Sequence, residues 1–81
     1  MDRAEILGKI AEALSEQLDI PMADIAEGSR FKEDLDADSL DLVELLLMME
    51  EEYGFTISDE EAEQIITVAD AINLVMERAS A

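Results

Sequence analysis

Asp38-Ser39-Leu40-Asp41-Leu42-Val43-Glu44-Leu45-Leu46-Leu47-Met48-Met49-Glu50-Glu51-Glu52-Tyr53-Gly54 is the stretch from which the fold can be read. It starts with a side-chain acceptor suited to capping a helix and ends with a glycine suited to stopping one. Nothing between them breaks a helix, so one is predicted from about Ser39 to Tyr53. At about 100° per residue, Leu42, Leu45, Leu46, Met49 and Tyr53 gather on one side. Leu40, Val43 and Leu47 gather on another, with Met48 at its margin and Asp41, Glu44 and Glu51 on or beside it. One stripe can enter a core. The other is either wrapped by a small bundle or left as an acid-edged docking face.

Upstream, Ile6, Leu7, Ile10, Leu14 and Leu18 recur at helical spacing behind Asp2 and Glu5, which stand in capping-box register. A first helix is expected over residues 3–18. Pro21 forbids its continuation, because the residue before a proline is pushed out of helical geometry. Residues 19–37 then make a long connection. Ile20, Met22, Ile25, Phe31 and Leu35 mark it as a loop anchored on the core, with one helical turn after Pro21 and a turn at Gly28-Ser29. Downstream, Ser58-Asp59-Glu60-Glu61 is a capping box that opens a short third helix through Ala62, Ile65 and Ile66. Thr67 and Asp70 cap a fourth, with Val68, Ala71, Ile72, Val75 and Ala79 at helical spacing. Phe55-Thr56-Ile57 is too short to count as a strand. Short connections imply roughly antiparallel neighbours. The expected fold is all-α: a small four-helix bundle with a long ordered loop between helices 1 and 2 and a short third helix, residues 1–81 forming a single domain.

Charge narrows the function. Against 5 Lys and Arg stand 22 Asp and Glu, a net charge of −17 over 81 residues. Such a chain does not bind nucleic acid electrostatically, nor dock on anionic lipid. From Glu33 to Glu77 there are 15 acidic residues and no Lys or Arg. A surface normally mixes signs, so this single-sign field suggests partners that share basic patches. The 49% hydrophobic share argues against disorder. No apolar run reaches the ~18 residues of a membrane span, and no signal peptide opens the chain, so a cytoplasmic, monomeric protein is expected. Cys and His are absent, which removes thiolate chemistry, the commonest general base and the commonest metal ligands. Carboxylate pairs leave acid-pair hydrolysis open on residue types alone, but so small a domain has little room for a cleft, and no enzyme is expected. Asp34, Asp36 and Asp38 alternate as in an EF-hand, yet Ser39 stands where Gly is needed and Leu45 where Glu is needed. That leaves weak, diffuse divalent binding.

Ser39 falls at the start of the second helix. A helix N-terminus offers unpaired N–H groups and a positive dipole end, favourable for phosphate. Position alone allows two roles: a capping side chain, or the attachment point of a phosphate-linked group.

Asp38-Ser39-Leu40, followed by Asp41, Val43, Glu44 and Leu45, resembles the attachment motif of acyl carrier proteins. The resemblance continues through Glu50-Glu51-Glu52-Tyr53-Gly54, Ile57-Ser58-Asp59-Glu60-Glu61-Ala62-Glu63 and Thr67-Val68, and spans Ile6 to Val75, with Phe31 and Leu35 in the loop. It implies 4′-phosphopantetheine on Ser39, donated by coenzyme A through a magnesium-dependent phosphopantetheinyl transferase that recognises Asp38 and Leu40. The arm brings the thiol that the chain lacks, and carries acyl chains as thioesters. Leu40, Val43, Glu44 and Leu47 would face partner enzymes, as would Asp41, Glu50, Glu51 and Asp59, with Ile65 of the third helix bordering that surface. A loose core with Met48, Met49 and Met76 as adaptable fillers could admit an acyl chain. Three positions depart from the family. Asp36 stands at a usual Gly, where Asp tolerates positive φ better than most residues; Ser58 replaces a common Pro; and Leu42 replaces a smaller or polar residue. The resemblance implies a freestanding carrier of fatty-acid synthesis. The alternatives are polyketide or other specialised acyl assembly, or an unmodified acidic adaptor.

Overall fold

The computed structural model describes residues 2–79. Four α-helices follow one another: α1 (Arg3–Leu18), α2 (Ser39–Tyr53), α3 (Asp59–Glu63) and α4 (Val68–Ala79). No strand occurs among the described residues, where the one β feature is an isolated antiparallel bridge between Arg30 and Thr67.

The Asp2 carboxylate accepts the Glu5 N–H (2.9 Å) at the start of α1, and Asp19 stops that helix in the left-handed region at φ 57°. Pro21 then leads into a single 3-10 turn, Met22–Asp24. α2 runs between its expected ends, Asp38 and Gly54, the glycine at φ 72°. Its first stripe is core: Leu42, Leu45, Leu46 and Met49 are buried and Tyr53 is half-buried. They meet Ile6, Ile10 and Leu14 of α1, and Val68, Ala71, Ile72 and Val75 of α4. The side chain of Ala79, expected to continue this last series, lies outside the described residues.

The connection between α1 and α2 is part of the core. Ile25, Phe31, Leu35 and Ala37 are all buried, Phe31 at 1% exposure. Its backbone is sewn to the start of α4: the Phe31 N–H donates to Ile66 O (3.0 Å), the Val68 N–H to Ser29 O (2.9 Å) and the Ala69 N–H to Glu27 O (2.8 Å). Arg3 adds a side-chain staple, donating to the Glu27 carboxylate and to Asn73 Oδ1. These bonds pair backbone groups that burying so long a loop would otherwise cut off from water.

Two expectations are corrected. Met22 is 46% exposed rather than an anchor, because the 3-10 turn carries it outward while Ile25 takes the inward position. The third helix ends at Glu63, so Ile65 and Ile66 lie beyond it. The chain must turn there to bring the Ile66 carbonyl to Phe31, and continued helix would consume that carbonyl.

Candidate functional site

Leu35 and Ala37 are buried, whereas Asp36, Asp38 and Ser39 are exposed. This alternation presents the start of α2 to solvent. Asp36 makes the turn at φ 56°, the conformation its identity was expected to tolerate. From the side, the Gln17 side-chain amide donates to Asp41 O (2.7 Å), tying α1 to the first turn of α2.

The cap itself bears on the two roles open to Ser39. Asp38 is the N-cap: its carboxylate accepts the Asp41 N–H (2.9 Å), and the Asp41 carboxylate accepts the Asp38 N–H (3.2 Å). Capping is therefore complete without Ser39. Among the described serines, Ser15 donates to Ile20 O (2.6 Å), while the hydroxyls of Ser29 and Ser58 accept backbone N–H groups. Ser39 alone among them has a hydroxyl with no protein partner. The N–H groups of Ser39 and Leu40 precede the first intrahelical bond, from Leu42 N–H to Asp38 O (3.1 Å), and point along the helix start. An exposed, unengaged hydroxyl at a positive helix end is chemically suited to a phosphodiester, so these residues fit a phosphopantetheine group.

Along α2 the second stripe stays in solvent. Leu40 is 66% exposed and Leu47 55%, with Val43 also exposed. Glu44, Glu51 and Asp59 are exposed and Asp41 is half-buried. None of these four is in an ion pair among the described residues. Glu50 has a structural task as well, its carboxylate accepting the Ile57 N–H (3.3 Å) across the turn after α2. Ile65 departs from its expected place, being 7% exposed and directed into the fold. Its neighbour Ile66, at 59%, is the exposed one. The pair Ile65-Ile66 was the signal for this, since adjacent residues in a turn cannot both face the core.

A cavity of about 350 Å³ opens between the loop, α2, the end of α3 and the segment that follows it. Phe31, Leu42, Ala62, Ile65 and Ile66 give it an apolar wall. Leu42 is three residues along α2 from Ser39. No direct sequence signal marks this space beyond the large Leu42. Two carboxylates hold its surroundings. Asp34 lies below its ordinary value of 3.8, through the Arg30 guanidinium and then the Arg30 backbone N–H. Asp70 is likewise lowered, through the backbone N–H groups of Ile66 and Thr67.

A family model described as a phosphopantetheine attachment site matches residues 8–75, which puts the chain among carrier domains. Similar curated proteins are the acyl carrier protein of Rubrobacter xylanophilus, 48% identical over 81 residues and 100% of both chains, and that of Lactobacillus acidophilus, 43% identical over 75 residues, covering 93% of this chain and 94% of the other. Among solved structures, the acyl carrier protein of Thermotoga maritima superposes with a TM-score of 0.86 at 32% identity, covering 99% of this chain and 93% of that one. The acyl carrier protein of Enterococcus faecalis gives 0.79 at 39% identity, covering 95% and 98%. The chain belongs to the acyl carrier protein family. Members of that family hold acyl groups on phosphopantetheine and are carriers, not catalysts. No helix among the described residues is long and apolar enough to cross a membrane.

Proposed function

We propose that Ser39 is the attachment residue, and that the protein shuttles acyl chains between cytoplasmic enzymes of fatty-acid synthesis as a freestanding, single-domain, monomeric carrier. The observation that carries this is the division of labour at the start of α2: Asp38 and Asp41 cap the helix, and the Ser39 hydroxyl is left exposed and unbonded. Loading forms a bond from Ser39 Oγ to the β-phosphorus of coenzyme A, breaks the pyrophosphate linkage and releases adenosine 3′,5′-bisphosphate, the hydroxyl proton passing to the transferase or solvent. When bound, the group supplies a terminal thiol that holds acyl chains as thioesters. The helix start favours its negative phosphate, although Asp36 and Asp38 oppose it, so the site orients the anion more than it attracts it.

Asp38 and Leu40 flank the hydroxyl, where a phosphopantetheinyl transferase must reach. Leu40, Val43 and Leu47 provide apolar contact for partner enzymes. Asp41, Glu44, Glu51 and Asp59 steer partners bearing basic patches, which raises association rates without requiring tight complexes. Glu50 contributes to the same field. The cavity beside Leu42 gives an acyl chain an apolar refuge, and Ile65 contributes to its lining rather than to the docking face. Incubation with coenzyme A, magnesium and a transferase tests the reading by intact mass. One added arm is expected, lost in Ser39→Ala; an unmodified wild-type protein would favour an adaptor role.

A further inference from the structure

We propose that Arg78 is the positioning residue that holds α3 in place as a wall of the cavity, and so sets how much cargo the carrier can enclose. The cargo half rests on the reading that an acyl chain carried at Ser39 enters that cavity; the holding of α3 does not. α3 has five residues, too few to be stable as an isolated helix. It buries none of them: Asp59, Glu60 and Glu63 are exposed, and Glu61 and Ala62 are half-buried. Ala62 and Glu63 nevertheless line the cavity, facing Leu42 and the Arg30–Glu33 segment across it. Its one apolar contact with the core is the small Ala62 side chain, so polar contacts supply the rest of the hold on this wall.

Glu61 provides the junction. Its Oε1 accepts the Ser58 N–H (3.1 Å), completing the capping box in which Ser58 Oγ accepts the Glu61 N–H (3.2 Å). Its Oε2 pairs with Nη2 of Arg78, from the last turn of α4. Nη1 of the same guanidinium donates to Thr56 O (3.4 Å), in the segment that enters α3. One side chain thus grips both α3 and its approach. The two partners are 37% and 26% exposed, so the pair is better shielded than a free surface pair. No substitute exists: after Lys32, Arg78 is the only Lys or Arg in the chain. With the grip released, the nearest fully buried anchor is Ile65, beyond the end of α3, and inside α3 only the small side chain of Ala62 still packs against the core.

Amide exchange of the unmodified protein tests the first half, read at the hydrogen-bonded N–H groups of Ala62, Gln64 and Ile65. Glu61→Gln retains a capping oxygen but loses the charge, so it serves beside Arg78→Gln should the latter fold poorly. In both variants exchange at these amides is expected to rise about two- to fivefold, the worth of one partly exposed ion pair. Exchange at Ile10 and Leu14 in α1 is expected to stay unchanged, and Arg78→Lys to restore part of the protection. No change, or an equal rise in every helix, overturns the assignment. The second half is read by hydroxylamine cleavage of the thioester after loading acetyl or longer saturated acyl groups. The two charge-removing variants are expected to lose about two- to fivefold of the protection given to the longer chains, with acetyl unaffected. Equal cleavage at every chain length refutes the link to cargo. A wild-type protein that accepts no arm refutes the Ser39 reading and this second half with it, while the exchange data still judge the grip on α3.

Discussion

Replacing Asp38 separates the two demands placed on the start of α2. Asp38→Ala removes the acceptor of the Asp41 N–H, leaving the bond from Asp38 N–H to the Asp41 carboxylate in place. Loss of such a cap costs about 1 kcal/mol. It also deletes one negative charge near Asp34, Asp36 and Asp41, which relieves repulsion, and one favourable charge–dipole contact of about 0.3–1 kcal/mol, which opposes that relief. Asp38→Asn makes the same charge change and keeps an oxygen that can cap. The difference between the two variants therefore isolates the hydrogen bond. At physiological salt Asp38→Ala is expected to melt about 4–8 °C below Asp38→Asn, the shift that ~1 kcal/mol produces in a domain of this size. Circular dichroism at 222 nm measures it. Loading by a transferase, followed by intact mass, then tells whether the charge or the helix geometry is needed: slow loading of both variants assigns the charge, slow loading of Asp38→Ala alone assigns the geometry. Coincident melting of the two variants would refute the claim that Asp38 carries the cap and would return that role to Ser39.

Met49 is fully buried and Met48 only partly, one residue apart on α2. Met49→Ala is expected to cost about 2–5 kcal/mol, a large share of the roughly 4–12 kcal/mol available to a domain of this length, while Met48→Ala costs much less; urea titration of both compares them. Asp70 is held below its ordinary value of 3.8 by donors from Ile66 and Thr67. A carboxyl lowered in the folded state stabilises above its unfolded pKa, and that contribution is lost as pH falls through the folded one. The stability gap between wild type and Asp70→Asn should thus be constant from pH 7 to 5 and shrink below about pH 4; a gap that widens on acidification contradicts the bonding described. Leu47→Gln is expected to change stability by no more than about 0.5 kcal/mol and to weaken transferase binding in surface plasmon resonance, and wild-type association should slow as salt rises.

The bounds of α2 were legible because its two stop signals are local: Asp38 accepts and Gly54 adopts positive φ whatever surrounds them. The end of α3 was not. A capping box at Ser58 specifies a beginning, whereas the end is dictated by Phe31, far away in sequence, which requires the Ile66 carbonyl for a bridge. The same long-range demand turned Ile65 inward and left Ile66 in solvent. Met22 departs from its expected place because apolar spacing in a loop carries no period to say which face is buried. The cavity has several parents, in the loop, in α2, in α3 and after it, and no single segment announces it.

What the sequence left undecided at Ser39 comes down to a shift of one residue. Asp38 and Ser39 are adjacent, and either type of side chain can cap a helix. If the serine capped, its hydroxyl would be spent on a backbone N–H, and a bulky phosphodiester there would have to break the helix start that positions it. With Asp38 capping, and Asp41 returning the bond, the helix terminus is held by carboxylates that attachment does not touch. The modification proposed at the Ser39 oxygen would then leave the four buried residues of α2 in the core and its apolar stripe in solvent. A carrier needs that independence, because the same fold must be recognised before loading, while loaded and after unloading.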